Sequence, residues 1–169
     1  MVDVHDKEGR SRNMSAIRSS GSQAERIVWS VLEDMGFEFE KNVKGIPASP
    51  DALIREESLA ILVQGCFWHG HQCHLFHVPD SRRDFWINKI NTSIKRDVKK
   101  LGELFQLNYR VLLVWECAIR GKRKLTPSDL SERMEECVCG DQRFSQIDAD
   151  GIFSSPLEGY ARTLPQQLV

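Results

Sequence analysis

Hydrophobic residues recur at helical spacing near the start of the chain and then in short continuous runs. The apolar positions between Ile27 and Met35 fall on one helical face. In the sequence they follow the segment Ser22-Gln-Ala-Glu25 and precede Gly36. A serine followed three residues later by glutamate is a capping box, and glycine commonly ends a helix. The pattern predicts a helix over residues 22–35.

Four short apolar runs predict the strands of a sheet, at residues 37–43, 52–54, 59–63 and 110–115. The last run is apolar enough to be buried on both faces. A long helical pattern opens at Ser81 and ends near Gln106, and Thr126-Pro127 supplies an N-cap and a first-turn proline for a final helix to about Cys137. The order helix, three strands, helix, strand and helix predicts an α/β fold with a mixed central sheet flanked by helices.

The composition suits one globular domain, because 41% of the 169 residues are hydrophobic and 28% are charged. We expect a polar arm at residues 1–21, one domain at 22–151 and a tail at 152–169 to which no role is assigned. No run of about 18 apolar residues could span a membrane, and the start of the chain lacks the apolar core of a secretion signal. We expect a cytoplasmic protein that does not bind membranes.

Charge is distributed unevenly, although the formal net charge is only −1. Residues 82–124 carry twelve lysines and arginines against four acidic residues, while residues 128–158 carry eight acidic residues against two arginines. A basic middle could form a phosphate-binding face that the total conceals. An ordinary solvated helix face explains the same segment, so charge alone does not decide between the two.

Residues that could bind a metal crowd the loop at 64–81. Cys66, His71 and Cys73 lie within eight residues, and Cys117 follows the last predicted strand. Thiolates and imidazoles are the usual ligands of tetrahedral zinc, and four protein ligands make a structural site because no position is left for water. The five cysteines of a reducing compartment also favour metal ligation over disulfides. Buried free thiols are the alternative, and other residues could replace one of the four ligands: His69, His74, His77, Cys137 and Cys139.

Several further residues have both a chemical and a structural interpretation. Asp51 could hold Mg²⁺ with a backbone carbonyl from the end of the third strand, although Ser-Pro-Asp is also ordinary turn chemistry. Glu25 either completes the capping box or holds a water of a metal site. Asp97 is explained equally by pairing with basic residues of its own helix. The adjacent rings of Phe67 and Trp68 would suit stacking on nucleic-acid bases.

Two separated blocks carry a specific resemblance to a known family. They are Gly65-Cys-Phe-Trp-His69 and Val114-Trp-Glu-Cys117-Ala-Ile-Arg120-Gly, accompanied by Asp51, His71, Cys73, Phe85-Trp86 and Arg96-Asp97. From about Val4 to Gly151 the chain resembles the very short patch repair (Vsr) DNA mismatch endonucleases. The resemblance implies a restriction-endonuclease-like core and an enzyme that nicks one strand of duplex DNA 5′ of the thymine in a T:G mismatch. Such mismatches arise when 5-methylcytosine deaminates. We expect a monomer, and other DNA-repair proteins could be its partners.

The resemblance assigns catalytic roles to matching positions. It makes Asp51 the magnesium ligand, together with the Val63 carbonyl. It makes His69 the general base or acid near the scissile phosphate. Glu25 becomes an outer-shell holder of water, and Asp97 becomes a support for the active site.

The resemblance also assigns a structural zinc to Cys66, His71, Cys73 and Cys117. It makes Phe67, Trp68 and Trp86 a wedge that enters the base stack from the major groove, and it assigns the minor groove to the arm around Met14. A T:G wobble costs less to unstack than a matched pair, so deformability would help to select it.

Position 64 departs from the family pattern, because members often have histidine there and this chain has Gln64. An amide can orient a water or a phosphate but has no accessible titration. The expected reaction is in-line attack by a magnesium-activated water, which leaves 5′-phosphate and 3′-hydroxyl ends. Two alternatives stay open: a catalytically silent, zinc-stabilised mismatch-binding module, and a restriction-type nuclease that acts on matched DNA.

Overall fold

The computed structural model describes residues 21–154, which form a six-stranded mixed sheet with helices on both faces. The helices in these residues are α1 (Gln23–Asp34), α2 (Arg83–Gln106), α3 (Glu116–Ile119) and α4 (Pro127–Cys139). The strands are β1 (Glu40–Lys41), β2 (Ala52–Ile54), β3 (Leu59–Gln64), β4 (Arg110–Trp115), β5 (Phe144–Asp148) and β6 (Gly151–Ser154). None of the helices in this part of the chain is long and apolar enough to cross a membrane.

The strands lie in the sheet in the order in which they occur along the chain. The pairs β1–β2, β2–β3 and β5–β6 are antiparallel, whereas β4 is parallel to both β3 and β5. Parallel neighbours need a crossover connection, and α2 supplies it between β3 and β4. In that pair Gln64 lies opposite Trp115. The loop after β3 and the short helix α3 after β4 therefore start side by side.

Alternate residues of the central strands build two apolar layers, one on each face of the sheet. On one face Leu62 and Leu113 belong to a cluster that includes Ile94 of α2. On the other face Leu112 belongs to a cluster with Leu32 of α1 and with residues of α4. Each fully buried leucine contributes about 1.5–3 kcal/mol. Burial on both faces explains why β3 and β4 are nearly continuous apolar runs.

Helix capping follows the sequence predictions. Ser22 Oγ accepts a hydrogen bond from the Glu25 backbone N–H at 3.2 Å, and Thr126 Oγ1 accepts one from the Asp129 backbone N–H at 3.1 Å. Gly36 follows α1 at φ +80°, a conformation that glycine adopts without strain. The three predicted helices are confirmed, with ends that differ by about two residues or fewer.

Three features of the fold differ from the sequence prediction. The strand predicted over residues 37–43 is only the two-residue β1, which ends where Asn42 turns the chain at φ +51°. The one-turn helix α3 is missing from the prediction. The strands β5 and β6 are also missing, because Ser145 and Gln146 interrupt the apolar pattern even though both are buried. The predicted mixed sheet flanked by helices is nevertheless confirmed.

The ends of the chain extend beyond what the structure describes. β6 includes the first residues of the predicted tail at 152–169. The rest of that tail lies outside the described residues. The predicted arm, including Met14, lies outside them as well, apart from Gly21.

Candidate active site and metal centre

Four potential metal ligands converge where the loop after β3 meets α3. Cys66, His71 and Cys117 are buried, and Cys73 is partly exposed. The ligand atoms of the four residues lie within 4.8 Å of one another. A tetrahedral site with sulfur and nitrogen ligands requires such crowding. The structure therefore brings together the four residues that the sequence analysis selected as zinc ligands.

The groups of this cluster perturb one another's ionisation. Hydrogen bonds with Cys117 and Cys66 lower the pKa of Cys73, whereas hydrogen bonds with Cys117 and Cys73 raise the pKa of Cys66. Burial lowers the pKa of His71, but contacts with Asp148 and the thiols outweigh it and raise that pKa to about 11. One thiolate is stabilised while a second is opposed, and a bound cation would favour both. This donor set fits zinc.

The alternative ligands lie outside the cluster. His74 and His77 are exposed, and Cys137 and Cys139 belong to α4. Burial raises the pKa of Cys137 to about 11, so its thiol stays protonated at neutral pH. None of these four residues contributes a ligand atom to the cluster as the structure describes it.

Asp51 precedes β2 and faces the end of β3. Its Oδ2 accepts a hydrogen bond from the Val63 N–H at 2.7 Å, and its backbone carbonyl accepts one from Trp29 Nε1 at 2.9 Å. Burial raises the pKa of Asp51 from its usual 3.8 to about 6. The Val63 N–H opposes that change, the Glu25 carboxylate adds to it and His69 opposes it. A cation beside Asp51 would stabilise the ionised form that burial disfavours.

His69 and His71 face different partners across one turn of the chain. Gly70 between them adopts φ +67°, and His69 Nδ1 lies 2.6 Å from Asp97 Oδ2 on α2. Asp97, for which the sequence offered an intrahelical partner, is thus paired with a residue of the loop. A carboxylate at Nδ1 favours a proton on that nitrogen, so Nε2 is the nitrogen that could exchange a proton with a substrate.

Glu25 completes the helix cap in a way that differs from the prediction. Its Oε2 accepts a hydrogen bond from the Gly21 N–H at 2.6 Å, whereas a capping box uses the N–H of the N-cap residue, here Ser22. The side chain is buried, and its charge acts on Asp51. The cap explains why glutamate occupies this position. Its nearness to Asp51 is compatible with the second predicted role, the holding of water at a metal site.

A polar cavity of about 260 Å³ joins these groups. Its lining includes Asp51, Val63, Gln64, His69, Arg96, Asp97 and Lys100. Gln64 Oε1 is buried and meets no hydrogen-bond donor among residues 21–154. A buried acceptor without a donor costs about 1–3 kcal/mol, and a water or a cation would relieve that cost. The hard carboxylate oxygens of Asp51 fit Mg²⁺, and the Val63 carbonyl and water could supply further oxygen ligands.

The three predicted wedge residues form one aromatic cluster. The ring centroids of Phe67 and Trp68 are 5.0 Å apart, those of Phe67 and Trp86 are 5.5 Å apart, and those of Trp68 and Trp86 are 6.1 Å apart. Phe67 and Trp86 also pack against the core below α2. Trp68 and the exposed Phe85 line a groove of about 640 Å³, which shares His69 with the polar cavity. The aromatic groove and the polar cavity are therefore adjacent.

Comparisons with a family model and with individual proteins point to the same family. The family model of the DNA mismatch endonuclease Vsr matches residues 2–75. The DNA mismatch endonuclease Vsr of Escherichia coli (strain K12) is 44% identical over 152 residues, which cover 90% of this chain and 97% of that protein. The chain belongs to the Vsr family of DNA mismatch endonucleases. Two type II nicking enzymes are also similar to this family member. V.NmeAIP of Neisseria meningitidis is 35% identical over 122 residues (72% of this chain, 87% of the relative), and V.XorIIP of Xanthomonas oryzae pv. oryzae is 36% identical over 119 residues (70% and 88%).

Membership of the Vsr family confirms the resemblance that the two sequence blocks carry. It also agrees with the fold, since a mixed sheet flanked by helices is the architecture expected of a restriction-endonuclease-like core. The cluster that could hold a metal draws on both blocks: Cys66, His71 and Cys73 lie in the loop that the first block opens, and Cys117 lies in the second block.

Two residues beside the metal cluster of this Vsr family member escape the sequence analysis. Asp148 Oδ2 at the end of β5 lies 3.4 Å from His71 Nε2, and the Trp115 ring stacks on the His71 ring at 4.2 Å between centroids and 11° between planes. Asp148 opens the Asp-Ala-Asp-Gly turn to β6, and an Asp-Gly pair between two strands is a hairpin signal. Trp115 belongs to the second block of the resemblance, but its position at the end of a buried strand gives no local sign that its ring stacks on His71.

Proposed function

We propose that this Vsr family member is a magnesium-dependent DNA endonuclease that nicks one strand 5′ of the thymine in T:G mismatches left by deaminated 5-methylcytosine. The observation that carries the proposal is the adjacency of two spaces: the polar cavity with Asp51, Gln64 and His69, and the aromatic groove with Trp68. A phosphodiester could occupy the first while neighbouring bases stack in the second. The 44% identity to the E. coli mismatch endonuclease supports the same function.

Asp51 would hold the catalytic magnesium together with the Val63 carbonyl. When bound, the ion would neutralise charge on the phosphate and polarise the attacking water. Asp51 suits this role because the Val63 N–H orients its Oδ2 and because burial makes its charge costly unless a cation is near. Gln64 Oε1, which lacks a donor among the described residues, would accept a hydrogen bond from the attacking water and orient it.

His69 would exchange the proton in this reaction, as general base or general acid. Its bond to Asp97 fixes the ring and directs proton transfer to Nε2. Glu25, buried near Asp51, would hold water around the ion. Arg96 and Lys100 line the same cavity and would offset the charge of the phosphate.

The second proposed metal is one structural zinc, bound by Cys66, His71, Cys73 and Cys117. Cys66 precedes the rings of Phe67 and Trp68 along the chain, and His71 and Cys73 follow them. A closed zinc site would therefore limit the motion of the aromatic cluster. Zinc would thereby act on DNA binding indirectly, through the loop that it folds.

The aromatic cluster of Phe67, Trp68 and Trp86 would act as a wedge in the base stack. A T:G wobble costs less to unstack than a matched pair, and so the wedge would enter it preferentially. We assign the arm around Met14 to the minor groove on the family resemblance alone, since Met14 lies outside the described residues.

A nicking assay on strand-labelled duplexes tests the proposed function. Matched and T:G duplexes of one sequence are incubated with the protein and either Mg²⁺ or EDTA. The expected result is one nick 5′ of the thymine, only in the T:G duplex and only with Mg²⁺. The Asp51→Asn variant controls for a contaminating nuclease. Mismatch binding without cleavage would indicate the silent binding module, and cleavage of both duplexes a nuclease for matched DNA; either outcome contradicts the proposal.

A further inference from the structure

Asp148 contacts the candidate zinc cluster through the ring of His71. Asp148 Oδ2 lies 3.4 Å from His71 Nε2, while the other ring nitrogen, Nδ1, lies 3.6 Å from Cys117 Sγ. The two nitrogens of one imidazole therefore face different partners: Nδ1 faces the sulfur ligands and Nε2 faces a carboxylate. A histidine can bind a metal through either nitrogen, and the hydrogen bond at the other nitrogen selects which.

The plane of the His71 ring is fixed by Trp115. The two rings are stacked 4.2 Å apart, and Trp115 Nε1 donates a hydrogen bond to Gln146 Oε1 at 3.0 Å. His71 itself is 2% exposed. A half-turn of the imidazole would preserve the stack but would replace both nitrogens by carbons at their present partners. The orientation in the structure is the one that gives both nitrogens a polar neighbour.

The carboxylate of Asp148 is itself held in place by the turn that joins β5 to β6. Its Oδ1 accepts hydrogen bonds from the backbone N–H groups of Asp150 at 2.7 Å and Gly151 at 3.2 Å. One oxygen therefore anchors Asp148 to the hairpin, and the other remains directed at His71. A carboxylate that is fixed before the metal binds loses little further freedom when it orients a ligand.

We propose that Asp148 is a positioning residue of the metal centre, which holds His71 so that Nδ1 binds the metal while the Nε2–H is donated to the carboxylate. The inference rests on the zinc site proposed above. Such a partner fixes the tautomer of the ligating histidine and raises its basicity, and its removal typically costs about 10–100-fold in metal affinity.

Two variants of the same turn test this role by metal affinity. Asp148→Asn removes the charge but keeps an oxygen that can accept the two backbone hydrogen bonds. Asp150→Asn is the matched control, because the Asp150 side chain is exposed and pairs with Arg123 instead of the cluster. Competition with a chromophoric chelator measures the zinc dissociation constant of each full-length chain. We expect Asp148→Asn to bind zinc about 10–100-fold more weakly and Asp150→Asn to match the parent. Parent affinity in Asp148→Asn would overturn the inference.

Nuclear magnetic resonance of the zinc-loaded parent tests the same inference without a variant. Two-bond ¹H–¹⁵N correlations identify which nitrogen of His71 carries the proton. We expect a protonated Nε2 and a metal-bound Nδ1; the reverse assignment overturns the inference even if Asp148→Asn fails to fold. A parent chain that binds no zinc would remove the proposed site itself, whereas zinc bound through Nε2 would remove only the role of Asp148.

Discussion

The two metal centres proposed for this protein lie at the same edge of the sheet and differ in how completely protein atoms fill them. In the cysteine cluster, four ligand atoms lie within 4.8 Å of one another, and three of the four residues are buried. In the polar cavity, Asp51 and Gln64 line about 260 Å³ of space. A closed set of ligands stabilises a fold, whereas an open one leaves room for a substrate and for water.

The two centres also differ in their donor atoms. Thiolates suit zinc, while carboxylate and amide oxygens suit magnesium. One turn separates the centres, because His69 faces Asp97 and His71 faces the cysteines, with Gly70 between them at φ +67°. Neighbouring residues would thus contribute to the proposed structural site and to the proposed catalytic site. The closed centre should fail through loss of folding, and the open centre through loss of reaction.

The largest effect should follow from opening the closed centre. The parent, purified without added metal, should contain one zinc per chain by elemental analysis. Cys73→Ala should lower both zinc content and melting temperature strongly, because structural zinc contributes apparent free energies of about 10–16 kcal/mol in small zinc-binding peptides. Cys139→Ala is the matched control, since Cys139 is exposed and lies outside the cluster. A parent chain that is folded and free of zinc would contradict the prediction.

Breaking the open centre should have the opposite effect on stability. Asp51→Asn should abolish nicking yet leave T:G binding largely intact, which gel-shift affinity and cleavage rate together measure. Because burial raises the pKa of Asp51 from 3.8 to about 6, its charge destabilises the metal-free fold above that pH. In EDTA at neutral pH the variant should therefore be more stable, by on the order of 2 kcal/mol.

The size of that stability difference changes predictably with pH. As pH falls from about 6 to 3.8, Asp51 becomes protonated in the folded parent, so the advantage of asparagine should shrink and then vanish. At limiting Mg²⁺, nicking by the parent should also decline below about pH 6, because protons then compete with magnesium for the Asp51 carboxylate. Asp141→Asn, an exposed change, should leave both stability and nicking unaltered. Unchanged cleavage in Asp51→Asn would remove Asp51 from the mechanism.

The sequence predicts the ligands of the closed centre but not the carboxylate that contacts one of them. Cys66, His71 and Cys73 are near one another along the chain, so their spacing indicates that they could bind one metal ion. Asp148 reaches His71 only because β5 pairs with β4. The polar Gln146 hides that strand from the sequence pattern, although in the fold it is buried and accepts a hydrogen bond from Trp115 Nε1. A contact that depends on the pairing of two strands cannot be predicted from the local pattern of apolar and polar residues.

In the open centre, too, the sequence predicts the position of one carboxylate and misses the partner of another. The hairpin of β2 and β3 could be predicted, and with it the nearness of Asp51 to Val63. The partner of Asp97 could not be predicted from the sequence. Basic residues of α2 stand at helical spacing from Asp97, but its partner in the structure is His69, which lies on a loop. The Gln64 oxygen that meets no donor among residues 21–154 is likewise a property of the folded cavity.

Within the open centre, His69 and Gln64 should contribute unequally. His69→Ala should reduce the single-turnover rate by about 10²–10⁴, the usual contribution of a general acid or base. Gln64→Ala should cost less, since only the orientation of water is lost, and Gln64→His should be neutral or activating. Affinity for the T:G duplex serves as the control and should change little. Full cleavage by His69→Ala, or greater damage from Gln64→Ala, would show that the proton-transfer role is misassigned.

The smallest effect concerns the aromatic groove, which borders the open centre. Trp68→Ala should weaken discrimination between T:G and matched DNA, since stacking on one base is worth about 1–3 kcal/mol. Trp68 is the cleanest of the three wedge residues to change, because Phe67 and Trp86 also pack against the core below α2. Phe153→Ala is a suitable control, as Phe153 is an exposed aromatic on β6 and is absent from the lining of the groove. The ratio of T:G to matched affinity should fall in Trp68→Ala and not in the control, with melting temperatures close to the parent. A lowered melting temperature with an unchanged affinity ratio would instead assign Trp68 to packing.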